Sequence, residues 1–238
     1  MKIFSIIPLL LLSFFLPLSQ AGAVEGSAPA ARDQAEISRL ESATAVLDEV
    51  MAITENGIPS DLIKSAYGIA VFPGVLKAAF LIGARFGQGI MVAKAENGTW
   101  SEPSFLNLVG GSFGFQVGAE MTDLVLVFKT KQSVDALGRG DLTLGGTVSV
   151  AAGPVGRSAQ ASTDIQLRAE IYSYSKTRGL FAGAALDGAI LQVDTGINTA
   201  LYGVPDPLKQ AAIRAPDAAR RFSCVVAKYT TLPGKVCV

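Results

Sequence analysis

Glycine falls inside the apolar segments of this chain rather than between them, and this restricts the folds open to it. Residues 80–94 carry Gly83, Gly87 and Gly89, and residues 106–119 carry Gly110, Gly111, Gly114 and Gly118. A glycine weakens a strand. It is therefore expected where the backbone curves sharply, bulges, or lies close to another segment or a ligand. Spread over neighbouring strands, such glycines fit a coiled or barrel-like antiparallel sheet. Residues 68–72, 124–128, 142–152, 169–175 and 180–193 are strand-like as well, and 124–128 (Leu-Val-Leu-Val-Phe) is uninterrupted. Pro73-Gly74 and Asn97-Gly98 read as turns, the second joining hairpin partners.

Helical periodicity lies mainly toward the two ends. From about Asp33, the residues Ile37, Leu40, Thr44, Leu47 and Met51 recur at steps of three and four, giving one packing stripe. Pro59 and Ser60 suit the entrance of a short second helix through Ala66. Residues 129–137 read as a brief helix, 195–201 as a short helical or turn segment, and 208–222 as a helix broken by Pro216. The expected fold is α+β: N-terminal helices packed on a strongly curved, Gly-rich antiparallel β-sheet or partly closed barrel.

The first 23 residues read as an export signal. Lys2 is followed by the almost wholly apolar residues 3–18, then by Ala21-Gly22-Ala23, a small-x-small cleavage pattern. The alternative is a retained anchor, but the apolar run is short for a ~30 Å hydrocarbon core and contains Pro8 and Pro17. Cleavage near Ala23 places the chain in the periplasm or outside the cell. There Cys224 and Cys237 are expected to form a disulfide, closing a loop of about 14 residues.

The residue inventory excludes several chemistries. With no histidine, neither a Ser-His-Asp triad nor a histidine-bound zinc exists. The glycine-rich stretches lack the Lys-Ser/Thr ending of a phosphate loop and the full Gly-x-Gly-x-x-Gly pattern. The aspartates lack calcium-loop spacing. Net charge is zero, so no nucleic-acid partner is expected. No catalytic residue, metal or cofactor is assigned. Charged residues make up only 17% of the chain against about 25% in typical domains, which fits a well-buried sheet or a surface that meets lipid or a partner. Lys77, Arg85, Lys176 and Arg178 flank the strong strands. Their convergence would make a lipid-phosphate site, whereas solubility is the plainer reading. Trp100 reads either as an interfacial anchor or as a buried hairpin aromatic.

The central sequence resembles the SYLF domain, also called the Ysc84 actin-binding domain. The similarity runs through residues 66–74 (Ala-Tyr-Gly-Ile-Ala-Val-Phe-Pro-Gly), 83–89, 98–105, 110–118 and 172–183, in order. It spans residues 35–203, leaving 1–23 as signal peptide, 24–34 as a flexible lead-in and 204–238 as a C-terminal appendage. The resemblance implies non-enzymatic lipid binding, notably of phosphoinositides by eukaryotic members, some of which also bind actin. For an exported chain the implied partner becomes an anionic phospholipid or another envelope lipid. The alternative is a structural or protein-interaction domain with an envelope protein as partner. Actin is not expected as a partner in that compartment. Lys77, Arg85, Lys176, Arg178 and Trp100 are the candidate lipid contacts.

Overall fold

Two apolar faces on the central strands set the architecture. The computed structural model describes residues 29–53, 57–80, 82–113, 118–155, 168–209 and 215–230. The expected signal peptide at 1–23 and Cys237 lie outside these residues.

Among the described residues the sheet has nine strands: β1 (Gly68–Phe80), β2 (Ile82–Ala93), β3 (Ser104–Phe113), β4 (Gly118–Phe128), β5 (Leu142–Thr143), β6 (Val150–Ala152), β7 (Ile171–Thr177), β8 (Leu180–Gly183) and β9 (Ile190–Val193). Their order is β5-β9-β3-β2-β1-β4-β7-β6, with β8 paired to β7, in a strongly curled half-barrel. Ile69, Val71, Ile90, Val92, Phe105, Val125 and Val127 point to one face. The alternate residues Ala70, Phe72, Met91, Leu106, Leu124, Leu126 and Phe128 point to the other. Period-two alternation of two apolar sets requires cover on both sides.

Helices cover the first face. The helix α1 (Pro29–Met51) buries Leu40, Ala43, Leu47 and Val50, and α2 (Ser60–Lys64) buries Leu62 and Ile63. The second face closes over Leu137 of α3 (Lys131–Gly138) and over Leu142, Leu144 and Val148 of the following turn segment. Helix α4 (Thr195–Tyr202) begins at Asp194, whose side chain accepts from the Ile197 N–H at 2.9 Å. Its Asn198 is fully buried, accepts from the Phe105 N–H at 2.8 Å, and donates to Ser104 Oγ at 3.0 Å.

Several features differ from the sequence reading. Helix α1 begins at Pro29, so the described part of the expected lead-in is helical. Pro73-Gly74 is a bulge within the single strand β1, not a turn between strands. Val71 pairs with Ile90 and Leu76 with Phe86, so β1 carries one extra residue there. Gly74 has φ +60°, and its N–H donates to Asp123 Oδ1 at 2.8 Å. The sheet is mixed, because β6 and β7 run parallel. Helix α5 (Asp217–Thr230), within the expected appendage, is part of the main core: Ala218, Ala219, Phe222 and Val226 are buried against the same face as α1.

The strand glycines make room for side chains. A Cβ on Gly89 would sit 2.4 Å from the Phe72 ring, and one on Gly87 would sit 2.7 Å from Val75. Both glycines therefore lie beneath core side chains from the neighbouring strand β1.

Candidate functional site

The helices leave one end of the sheet's helix-bearing face uncovered. Beyond the bulge, β3, β2, β1 and β4 continue side by side. Their register aligns Val109 with Phe86, Phe86 with Leu76, and Leu76 with Met121. The bulge matters because the extra residue reverses the alternation of β1. Val71 points to the helix-bearing face, and beyond the bulge Leu76 does so too. The row is exposed: Val109 45%, Phe86 51%, Leu76 45% and Met121 67%. The next row outward on the same face is Gly111, Ala84, Ala78 and Ala119, all small and exposed.

A polar line separates this row from the core. Arg39 of α1 pairs with Glu36 and donates to Gln88 Oε1 at 2.7 Å. Gln88 Nε2 donates to Asn107 Oδ1 at 3.5 Å, and Asn107 Nδ2 donates to Asp194 Oδ2 at 2.8 Å. The Arg39 guanidinium also lies 5.9 Å from the Phe105 ring centroid. Burial raises the Glu36 pKa. Arg39 opposes that shift, while Asp194 and Asp33 add to it. The chain of contacts ties the N-terminal half of α1 to β2, β3 and the start of α4. A groove of about 330 Å³ runs between Ala35, Ser38 and Ser42 of α1 and Leu76 and Phe86 of the sheet.

The expected lipid contacts are dispersed. Lys77 and Arg85 are cross-strand partners on the face opposite the apolar row, and Lys77 also aligns with Glu120. Arg85 donates to the Ala185 carbonyl at 3.3 Å, and burial lowers its pKa. Lys176 is on the helix-bearing side, paired with Glu49 of α1. Arg178 occupies the tight β7–β8 turn at φ +49°. Trp100 is half-buried and donates from Nε1 to Thr230 Oγ1 at 2.9 Å, joining the post-β2 turn to the end of α5. Sequence reading missed Leu76, Phe86, Val109 and Met121 because each resembles a core residue in its own strand. The signal was the one-residue offset at Pro73-Gly74, which is visible only once β1 is paired.

The family model described as Ysc84, Las17-binding protein actin regulator, matches residues 109–229. Human SH3 domain-containing YSC84-like protein 1 is 41% identical over 160 residues, covering 65% of this chain and 46% of the human protein. LAS seventeen-binding protein 3 of Saccharomyces cerevisiae is 42% identical over 149 residues, covering 61% of this chain and 32% of the yeast protein. An SH3 domain-containing protein of Schizosaccharomyces pombe is 43% identical over 148 residues, covering 61% and 34%. The chain thus spans about a third to a half of the length of these relatives. The match corrects the expected partner, because the family is described by actin regulation and the yeast relative by its LAS seventeen binding. Actin is therefore not to be set aside, and a phospholipid is no longer the expected partner. The chain belongs to the Ysc84 family of Las17-binding actin regulators.

Proposed function

We propose that the chain is a non-enzymatic protein-binding module that docks a partner of the actin-regulatory kind on its exposed apolar row. One observation carries this reading: Val109, Phe86, Leu76 and Met121 form an unbroken, solvent-exposed line across four strands. A contiguous apolar surface rimmed by polar groups is characteristic of an interaction site. Here the rim is Arg39, Gln88, Asn107 and Asp123. The name and description of the relatives supply the class of partner.

Charge placement favours a protein over an anionic bilayer. A bilayer surface attracts cations set beside the apolar patch. Lys77 and Arg85 are on the opposite face, and Lys176 is engaged by Glu49. We also infer export from residues 1–23, so such a partner is met outside the cytoplasm of the producing cell.

The test is co-sedimentation with actin filaments and capture on an immobilised Las17-type protein. Wild type is compared with Phe86→Asp and Leu76→Asp. Each substitution places a charge in the centre of the row and is expected to weaken binding about tenfold or more. Unchanged binding by both variants would move the interface off this face. Binding to neither protein, with sedimentation on phosphatidylglycerol vesicles instead, would overturn the protein-partner reading.

A further inference from the structure

We infer that an acidic, extended protein segment binds in a lysine-lined cleft at the end of the sheet opposite the apolar row. Strands β1, β2 and β4 reach that end together. Gly68 pairs with both Ala93 and Phe128, so the next residues, Tyr67, Lys94 and Lys129, lie side by side. The Tyr67 N–H donates to the Phe128 carbonyl and the Lys94 N–H to the Tyr67 carbonyl, both at 2.8 Å. Two recesses of about 640 and about 320 Å³ adjoin there and share Tyr67, Lys94, Glu96 and Lys131 as walls. Lys129 lines the larger and Lys209 the smaller. Among the described residues, four lysines thus line the cleft with two carboxylates, Glu96 and Asp135, in a chain whose net charge is zero.

The placement of these cations selects the ligand. They are spread from Lys129 at one end, through Lys94 and Lys131, to Lys209 at the other, and no arginine joins them. Planar, bidentate capture of one phosphate suits arginine, whereas lysine is a point charge on a flexible stem. A string of point charges matches successive carboxylates along an extended chain. The cleft already receives carboxylates from its own walls: Lys131 Nζ lies 3.7 Å from Glu96 Oε1 and 3.4 Å from Asp135 Oδ2. The Lys131 side chain is 51% exposed and that of Glu96 88%, so water screens their pairing and an incoming carboxylate can replace it. Lys94 Nζ is held 5.8 Å from the Trp100 ring centroid, which keeps its charge at the wall. The half-exposed Tyr67 ring gives the same segment an apolar contact.

A bilayer does not fit this cleft. It would need apolar surface beside the cations. The apolar row lies beyond the bulge, roughly 30 Å along β1, and the exposed Leu180 begins β8. Binding in the cleft is separate from the docking proposed for the row, and its test uses neither actin nor a Las17-type protein.

Fluorescence anisotropy of a labelled hexaglutamate peptide, titrated with the purified chain, tests the site. Wild type should bind with a Kd of about 0.1–1 mM at about 0.01 M salt. The affinity should fall about tenfold or more at about 0.15 M, where charges more than about 8 Å apart are screened. Lys94→Glu and Lys131→Glu should each weaken binding about tenfold or more at low salt. Arg178→Glu makes the same change in net charge at the other end of β7 and should leave binding within about twofold. Glu96→Gln removes the internal competitor and should strengthen binding about twofold or more. Melting temperatures matched to wild type establish that each variant is folded. No binding at low salt would overturn the inference. So would equal losses in Arg178→Glu and the two cleft variants, the outcome for general attraction to the chain. Tripolyphosphate that displaces the peptide and binds about tenfold more tightly would make the cleft a phosphate site and overturn the peptide assignment.

Discussion

Replacing Gly89 by alanine tests whether strand glycines are present to seat core side chains. The new Cβ would lie 2.4, 2.6 and 2.7 Å from three atoms of the Phe72 ring. Ordinary contact would require the ring to retreat by about 1 Å, yet Phe72 is fully buried among Val75, Leu106, Leu124 and Leu126. Overpacking of this kind costs about 1–3 kcal/mol. Alanine offsets about 0.5–1 kcal/mol of that by restricting the unfolded chain. A net loss of about 1 kcal/mol is expected, lowering the melting temperature by about 2–4 °C for a chain of this size. The assay is denaturant unfolding of four proteins: wild type, Gly89→Ala, Phe72→Leu and the double variant. Phe72→Leu alone leaves a cavity and costs about 1–2 kcal/mol. If ring contact is the cause, the alanine is nearly harmless in the Phe72→Leu background, and the cycle shows at least about 1 kcal/mol of coupling. Additive effects, or a Gly89→Ala protein as stable as wild type, would refute the reasoning.

Further outcomes follow from the same structure. Asn198→Ala removes the acceptor for the buried Phe105 N–H and should destabilise by about 2–3 kcal/mol in the same unfolding assay; a loss below about 0.5 kcal/mol would count against that bond. Burial raises the Tyr174 and Tyr202 phenols well above their ordinary value, with Tyr172 adding to the first and Glu102 to the second. Their folded pKa values exceed the unfolded one of about 10, so their contribution is intact below pH 10 and declines as pH rises above it, by about 1.4 kcal/mol per tyrosine per unit. Ionisation of these two tyrosines in the ultraviolet should therefore accompany unfolding, and titration in a still-folded chain would contradict the assignment. If residues 1–23 are removed on export, as we propose, the chain recovered should begin at Val24, checked by N-terminal sequencing, and should offer no reactive thiol when denatured without reductant. Retention of residues 1–23 would refute cleavage, and two reactive thiols would refute the Cys224–Cys237 bridge.

Local features were readable where local physics decides them. The Leu40 and Leu47 stripe, the Asn97-Gly98 turn and the start of α4 at Asp194 each follow from neighbours within a few residues. Gly98 at φ +82° and the Asn97 side chain, which accepts from the Thr99 N–H at 3.0 Å, are turn chemistry intrinsic to those residues. Pairing was less accessible. Residues 142–152 and 180–193 read as continuous strands, but each is broken where the chain turns, at Gly145 and Gly188 with φ +77° and +76°. The parallel partnership of β6 with β7 has no local signature. The apolar row was hidden for the same reason: exposure of Phe86 depends on where α1 ends its cover, not on the residues around it. Ala218, Phe222 and Val226 share one face of α5, but Arg220, Arg221 and the nearby Pro216 made that segment look peripheral.

The pairing of α1 with α5 has a consequence in time. Arg221 reaches Glu41 at 3.0 Å and Lys228 reaches Asp48 at 3.3 Å, so the first and last described helices lie side by side in the same direction, with partners 180 residues apart. A chain emerging from its N-terminus exposes the apolar flank of α1 long before Phe222 and Val226 exist to cover it. Core closure thus waits until residues 217–230 have been made, and contacts of such long sequence separation slow the final step. For a chain exported as we infer, that delay keeps the polypeptide threadable while it crosses a membrane and defers folding to the far side.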